Sequence, residues 1–167
     1  TNIYGLPLEN CQDDPRDKSG SWGANGKCSD RGEKDDPGVH QICLILNDET
    51  KNFSGLTGQS NWSASRQGRP HCVCVGAYSL YKVRQMTPEK TISANNIPVP
   101  PINNDELKCS AIPETALSQQ YLRNWQTWNA YEKKFELSKN YEFAMDALVE
   151  QCLDQAPWAD FLILGMS

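Results

Sequence analysis

The chain has 167 residues, 16 basic against 21 acidic, a net charge of −5, and 38% hydrophobic residues. That length suits one domain, or one domain with an appendage, and is enough to bury a core without metals or disulfides. The acidic balance argues against a nucleic-acid binder, which needs a basic stripe to displace condensed counterions. No run approaches the ~20 apolar residues that span a bilayer; Phe161–Leu162–Ile163–Leu164, for one, is far too short. The first residue is Thr1 rather than Met, a start that suits a cleaved presequence or a trimmed chain alike.

Residues 1–38 are rich in Asp, Gly and Pro and show no sustained period of 2 or 3.6, so they read as irregular loop. Residues 39–46 (Val-His-Gln-Ile-Cys-Leu-Ile-Leu) read as a strand, and residues 71–78 (His-Cys-Val-Cys-Val-Gly-Ala-Tyr) as a second. Residues 86–106 carry four prolines and read as an extended connector. A third, short strand is expected at 107–112. From 114 to 155 there is neither Gly nor Pro, and the spacing predicts a helix over 114–139 and another over 141–154, stopped by Pro157. Tyr121, Trp125, Trp128 and Phe135 fall on one face of the first. The expected fold is α+β: a small two-layer body with a short antiparallel sheet and long irregular loops over 1–117, and a helical C-terminal extension over 118–167.

The seven cysteines are the richest chemistry in the chain. Cys72 and Cys74, two apart on a strand, share a face, and Cys43 lies on the other strand. His40 and His71 stand near the strand starts, so a zinc set of these five residues is conceivable. Cys-x-Cys on a strand is a poorer chelate than a Cys-x-x-Cys turn, and free cysteine behaves as a small buried hydrophobe. The expectation is therefore buried thiols at Cys43, Cys72 and Cys74, with no metal and no cofactor. Cys11 and Cys28, both in the irregular N-terminal segment, are the expected disulfide pair. A reactive thiol paired with a histidine is the alternative. Two Asn-x-Ser sequons, Asn52-Phe53-Ser54 and Asn61-Trp62-Ser63, would accept glycans in a secreted chain.

An ordered series of motifs over about residues 2–117 resembles the family called domain of unknown function 2237. Asn2-Ile3-Tyr4-Gly5-Leu6-Pro7-Leu8, Cys11 and Asp14-Pro15 are similar to its opening. Ser19-Gly20-Ser21-Trp22 with Gly26-Lys27-Cys28 stands where the family has Thr-Gly-Phe-x-Arg-Asp-Gly-x-Cys. Asp36-Pro37-Gly38-Val39-His40-Gln41-Ile42-Cys43 resembles its Asp-x-Gly-x-His-x-x-Cys. Phe53-Ser54 and Gly58 to Trp62 resemble its Phe-Ser and Gly-Asn-Asp-Leu region. Gly68-Arg69-Pro70-His71-Cys72-Val73-Cys74 is similar to its Gly-Asp-Arg-Trp-Cys-x-Cys strand, with His71 in place of the tryptophan. A closing strand and helix correspond to residues 107–117. The resemblance implies a compact two-layer α+β fold and no established activity.

The functional expectation is a non-catalytic accessory or scaffold subunit. It would dock onto a larger protein assembly through Tyr121, Trp125, Trp128, Phe135, Trp158 and Phe161, because aromatic side chains dominate interface energetics. An organellar bioenergetic membrane complex, photosynthetic or respiratory, is the concrete version: plastid first, mitochondrion second, with peripheral membrane contact but no span. A secreted or cytoplasmic location is the alternative. A thiol-based redox protein or enzyme using the strand cysteines is the competing function.

Overall fold

The computed structural model describes residues 1–14, 26–29, 39–47, 50, 52–60, 62–66, 68–86, 106–124 and 128–156. The expected α+β class is what it shows. Two strands, β1 (His40–Ile45) and β2 (Pro70–Cys74), pair antiparallel with Cys43 opposite Cys72. Between them lie the helical turn α1 (Phe53–Leu56) and a 3₁₀ turn (Ser63–Arg66). The two sequon serines meet there: Ser54 Oγ and Ser63 Oγ are 2.9 Å apart, and each also accepts the other's backbone N–H. Both are buried, so these side chains knit the loop together from inside.

The second strand ends at Cys74 rather than at residue 78. Helix α2 (Val75–Met86) follows without a spacer. Tyr78, Tyr81, Lys82 and Gln85 recur at helical spacing and are all buried, a signal that the β-branched start of the segment hides. Cys74 Sγ accepts the Ala77 N–H at 3.4 Å, satisfying one of the donors that a helix start leaves open. The expected third strand at 107–112 reduces to one bridge between Leu107 and Leu44, flanked by hydrogen bonds from Ile45 N–H to Glu106 O and from Lys108 N–H to Cys43 O. A 3₁₀ turn at Cys109–Ala111 then diverts the chain, because the N-terminal segment takes the next carbonyls. Ile3 N–H bonds Ile112 O and Asn2 Nδ2 bonds Ser110 O.

The helix expected over 114–139 is broken into pieces. A 3₁₀ turn (Glu114–Leu117) gives way to α3 (Gln119–Arg123), α4 (Trp128–Phe135) and α5 (Leu137–Gln155). Ser118 causes the first break: it is extended, and its hydroxyl caps α3 by accepting Tyr121 N–H at 3.2 Å. Glu136 causes the last, with a left-handed φ of 50°. The helix expected at 141–154 is real and longer, as α5. None of the described helices is long and apolar enough to cross a membrane.

One hydrophobic core runs from Ile3 to Ala156, and α2 lies at its centre, packed against the sheet, α4 and α5. Helix α5 is bound to the 1–117 portion at both ends. Tyr141 OH donates to Ala116 O at 2.8 Å, Tyr4 OH to Cys152 O at 2.7 Å, and a disulfide joins Cys109 to Cys152. Residues 118–124 and 128–156 therefore share the body's core.

Candidate functional site

The first candidate is the sheet face that carries the cysteines. Cys43 and Cys72 oppose each other in register and so project from the same face. The N-terminal segment covers that face: Cys11 is bonded to Cys43, and Cys28 to Cys72. This corrects the expected Cys11–Cys28 pair and the expected thiols at Cys43 and Cys72. The loop cysteines lie close in sequence, but each is bonded to a strand cysteine rather than to the other. Gly26 makes the approach feasible. Its φ is +74°, its carbonyl accepts the Cys11 and Gln12 N–H groups, and a Cβ there would stand 2.2 Å from Gln12 O. All four sulfur-bearing residues are at most 2% exposed.

Cys74 keeps its thiol and lies half-buried where β2 becomes α2. His40 is its partner in the strand register. Residues 40 and 43 are three apart and would face opposite sides of a regular strand; a bulge between His40 and Ile42 resets the parity. Val39, just before, has φ of 50°, a conformation that costs a β-branched residue energy and often marks a functional turn. His71 goes elsewhere: its ring stacks on Trp62 at 4.5 Å, and Arg66 Nη1 lies 3.2 Å from its Nδ1. The strand alternation separates it from the cysteines.

The second candidate is a groove of about 390 Å³ between α2 and α5. On α5, Phe143, Asp146, Ala147, Glu150, Gln151 and Asp154 fall at steps of one, three and four, a single helical face. Lys82, Gln85 and Met86 of α2 form the opposite wall. Asp146, Glu150 and Asp154 are exposed and one turn apart, a negative stripe. Met86 and Phe143 are 53% and 39% exposed, so the groove also offers apolar surface. Its only described cation is neutralised from behind. Lys82 Nζ is ion-paired with Glu106, which is fully buried, and donates to Gln85 Oε1 at 3.0 Å. Gln85 is 7% exposed, and its Nε2 has no acceptor among the described residues. Tyr78, beside this pair, has its pKa pushed well above 10 by burial first and by the Glu106 charge second.

The aromatic stripe has a different fate from the one its spacing suggested. Phe135 is 2% and Trp128 8% exposed. Phe135 lies against Gly76 of α2, and Trp128 meets Tyr141 of α5 edge-on at 6.3 Å. Tyr121 is half-buried against the same core. As partner anchors, Trp128 and Phe135 are corrected: both are buried in the chain's own core, Phe135 where Gly76 of α2 leaves room for its ring. Trp125, Trp158 and Phe161 lie outside the described residues, as does the connector expected at 86–106 beyond its two ends. The sequence reading missed Lys82, Gln85, Glu106 and the acidic stripe. The stripe's four-residue spacing was the available signal.

Compared with protein-family models, with curated proteins and with solved structures, the chain matches none.

Proposed function

We propose that this protein is a non-catalytic accessory subunit that docks a larger protein assembly, with the groove between α2 and α5 as its docking surface. The observation that carries this reading is the acidic stripe of Asp146, Glu150 and Asp154 set beside exposed Met86 and Phe143. The partner it suits is a basic amphipathic helix of another protein, whose apolar side meets Met86, Phe143 and Ala147 while its Lys or Arg side chains meet the carboxylates. An acceptor on that helix would satisfy Gln85 Nε2, which has no acceptor among the described residues and whose burial otherwise costs free energy. Three disulfides support a compartment that oxidises thiols. An organellar bioenergetic membrane complex, approached from its oxidising side, remains the concrete version, with the secretory route as its rival. The likeness of residues 2–117 to the domain of unknown function 2237 family belongs to the same proposal and rests on the ordered motifs alone.

Native mass measurement on extracts of cells that make the protein tests this reading. Wild type is expected well above the 18.8 kDa of the chain, and a variant with Asp146→Lys, Glu150→Lys and Asp154→Lys is expected at monomer mass with its circular dichroism unchanged. Wild type running as a monomer overturns it.

A second reading has its own observation: Cys74 at the start of α2, opposite His40. A thiol at a helix N-terminus next to an imidazole suits nucleophilic or exchange chemistry. Maleimide labelling at neutral pH separates the readings. Rapid alkylation lost in Cys74→Ser supports thiol chemistry, and a sluggish Cys74 removes it.

A further inference from the structure

We propose that reduction converts the paired disulfides on the sheet face into a four-thiolate metal site, Cys11, Cys28, Cys43 and Cys72, of the kind that holds zinc. The sulfurs of Cys11, Cys28 and Cys72 all lie within 4.8 Å of one another, although Cys11 belongs to one disulfide and the other two to its neighbour. The Cys43 sulfur is bonded to that of Cys11 but stands farther than 4.8 Å from at least one of the other two. Zinc binds thiolate at about 2.3 Å in a tetrahedron, which sets sulfurs about 3.8 Å apart. Reaching that geometry means opening each S–S pair from about 2 Å to about 3.8 Å and drawing the Cys43 thiolate inward toward Cys28 and Cys72.

The scaffold holds the ligands in place without the disulfides. Cys43 and Cys72 are fixed opposite each other by the β1–β2 register. Cys11 is held to the Gly26–Cys28 segment by the hydrogen bonds to Gly26 O. A set of four buried sulfurs is soft and selects zinc over magnesium or calcium. Cys74, whose thiol caps α2, is not needed as a ligand.

The chemistry balances. Each disulfide takes two electrons and two protons from a dithiol reductant, which leaves as its own disulfide, and four thiols result. A divalent zinc ion then displaces the four protons and binds four thiolates. The same face is thus held together by two disulfides in an oxidising compartment and by one ion in a reducing one. This proposal is independent of the docking groove.

The test is a cobalt titration of the full chain after anaerobic reduction with dithiothreitol and its removal by gel filtration, with circular dichroism alongside. The expected result is the ligand-field spectrum of tetrahedral cobalt thiolate, saturating at one ion per chain, displaced by zinc, with the native helical signal kept or regained. Cys74→Ser should bind as wild type does, and Cys72→Ser should bind at least tenfold more weakly. No uptake by the reduced chain overturns the proposal. So does uptake by a chain that stays unfolded, Cys72→Ser binding like wild type, or Cys74→Ser losing as much as Cys72→Ser.

Discussion

Glu106→Leu removes the carboxylate that faces Lys82 behind the groove. The two side chains are 0% and 3% exposed, so water cannot take over the stranded ammonium, and among the described residues Gln85 Oε1 at 3.0 Å remains as its acceptor. Breaking one side of a buried ion pair costs about 3–5 kcal/mol, because the survivor is a charge without compensation. Against a total stability of about 5–15 kcal/mol that is a large loss, and in a domain of this size it lowers Tm by about 6–20 °C. Lys82→Met should cost about as much. The double variant Lys82→Met/Glu106→Leu should fall within about 1 kcal/mol of wild type, since two apolar groups of similar volume need no partner. Urea denaturation followed by circular dichroism gives all three values. A second readout is Tyr78: losing the Glu106 charge should move its phenol ionisation down from its raised value. Single losses below about 1 kcal/mol, or losses that simply add in the double variant, would refute the reasoning.

Gly76→Ala places a Cβ 2.9 Å from Phe135 Cδ2, and this overpacking should cost about 1–3 kcal/mol by chemical denaturation. Trp128→Ala empties a core position and should lose about 3–5 kcal/mol in the isolated chain; an unchanged urea midpoint would return that residue to the surface. Replacing both Cys109 and Cys152 with Ala removes a cross-link of sequence separation 43. Chain-entropy arithmetic puts the loss at about 4 kcal/mol, read as a lower urea midpoint. Burial pushes the Tyr4 phenol up to about 12 and raises Tyr141 as well. The Tyr4 contribution is fully present below the unfolded value of about 10 and is lost as pH rises through about 12. Tyr4→Phe should flatten that alkaline loss, and an unaltered profile would show that Tyr4 plays no part in it.

The strand pair, the α+β class and the helical C-terminal half were legible because each rests on local apolar pattern. The motif Asn2-x-x-Gly5 was legible as a motif but not as structure. Asn2 Oδ1 accepts the Tyr4 and Leu6 N–H groups while Asn2 Nδ2 reaches Ser110 O, a bond across 108 positions that no local pattern reveals. The Cys–Cys pairing was hidden for a like reason. It depends on Cys43 standing opposite Cys72, a pairing of two strands far apart in sequence that no local pattern reveals. Ser118 and Glu136 broke the expected long helix where propensity alone shows no stop, through a side-chain cap and a left-handed residue. The aromatic stripe was correctly placed on a helical face at Trp128 and Phe135. Whether such a face turns inward or outward depends on what lies across from it, and here Gly76 leaves room for the ring. The acidic groove needed two helices brought together, with Lys82 already silenced by Glu106.

Carbodiimide cross-linking of the intact assembly, read out by mass spectrometry, tests the docking surface most directly, because it joins a carboxylate to a lysine only where the two already touch. The account predicts cross-links from Asp146, Glu150 or Asp154 of α5 to lysines on a helix of a partner protein, lost in the triple lysine variant. Cross-links confined to other faces, such as Glu9 and Asp13 of the N-terminal segment, would contradict it.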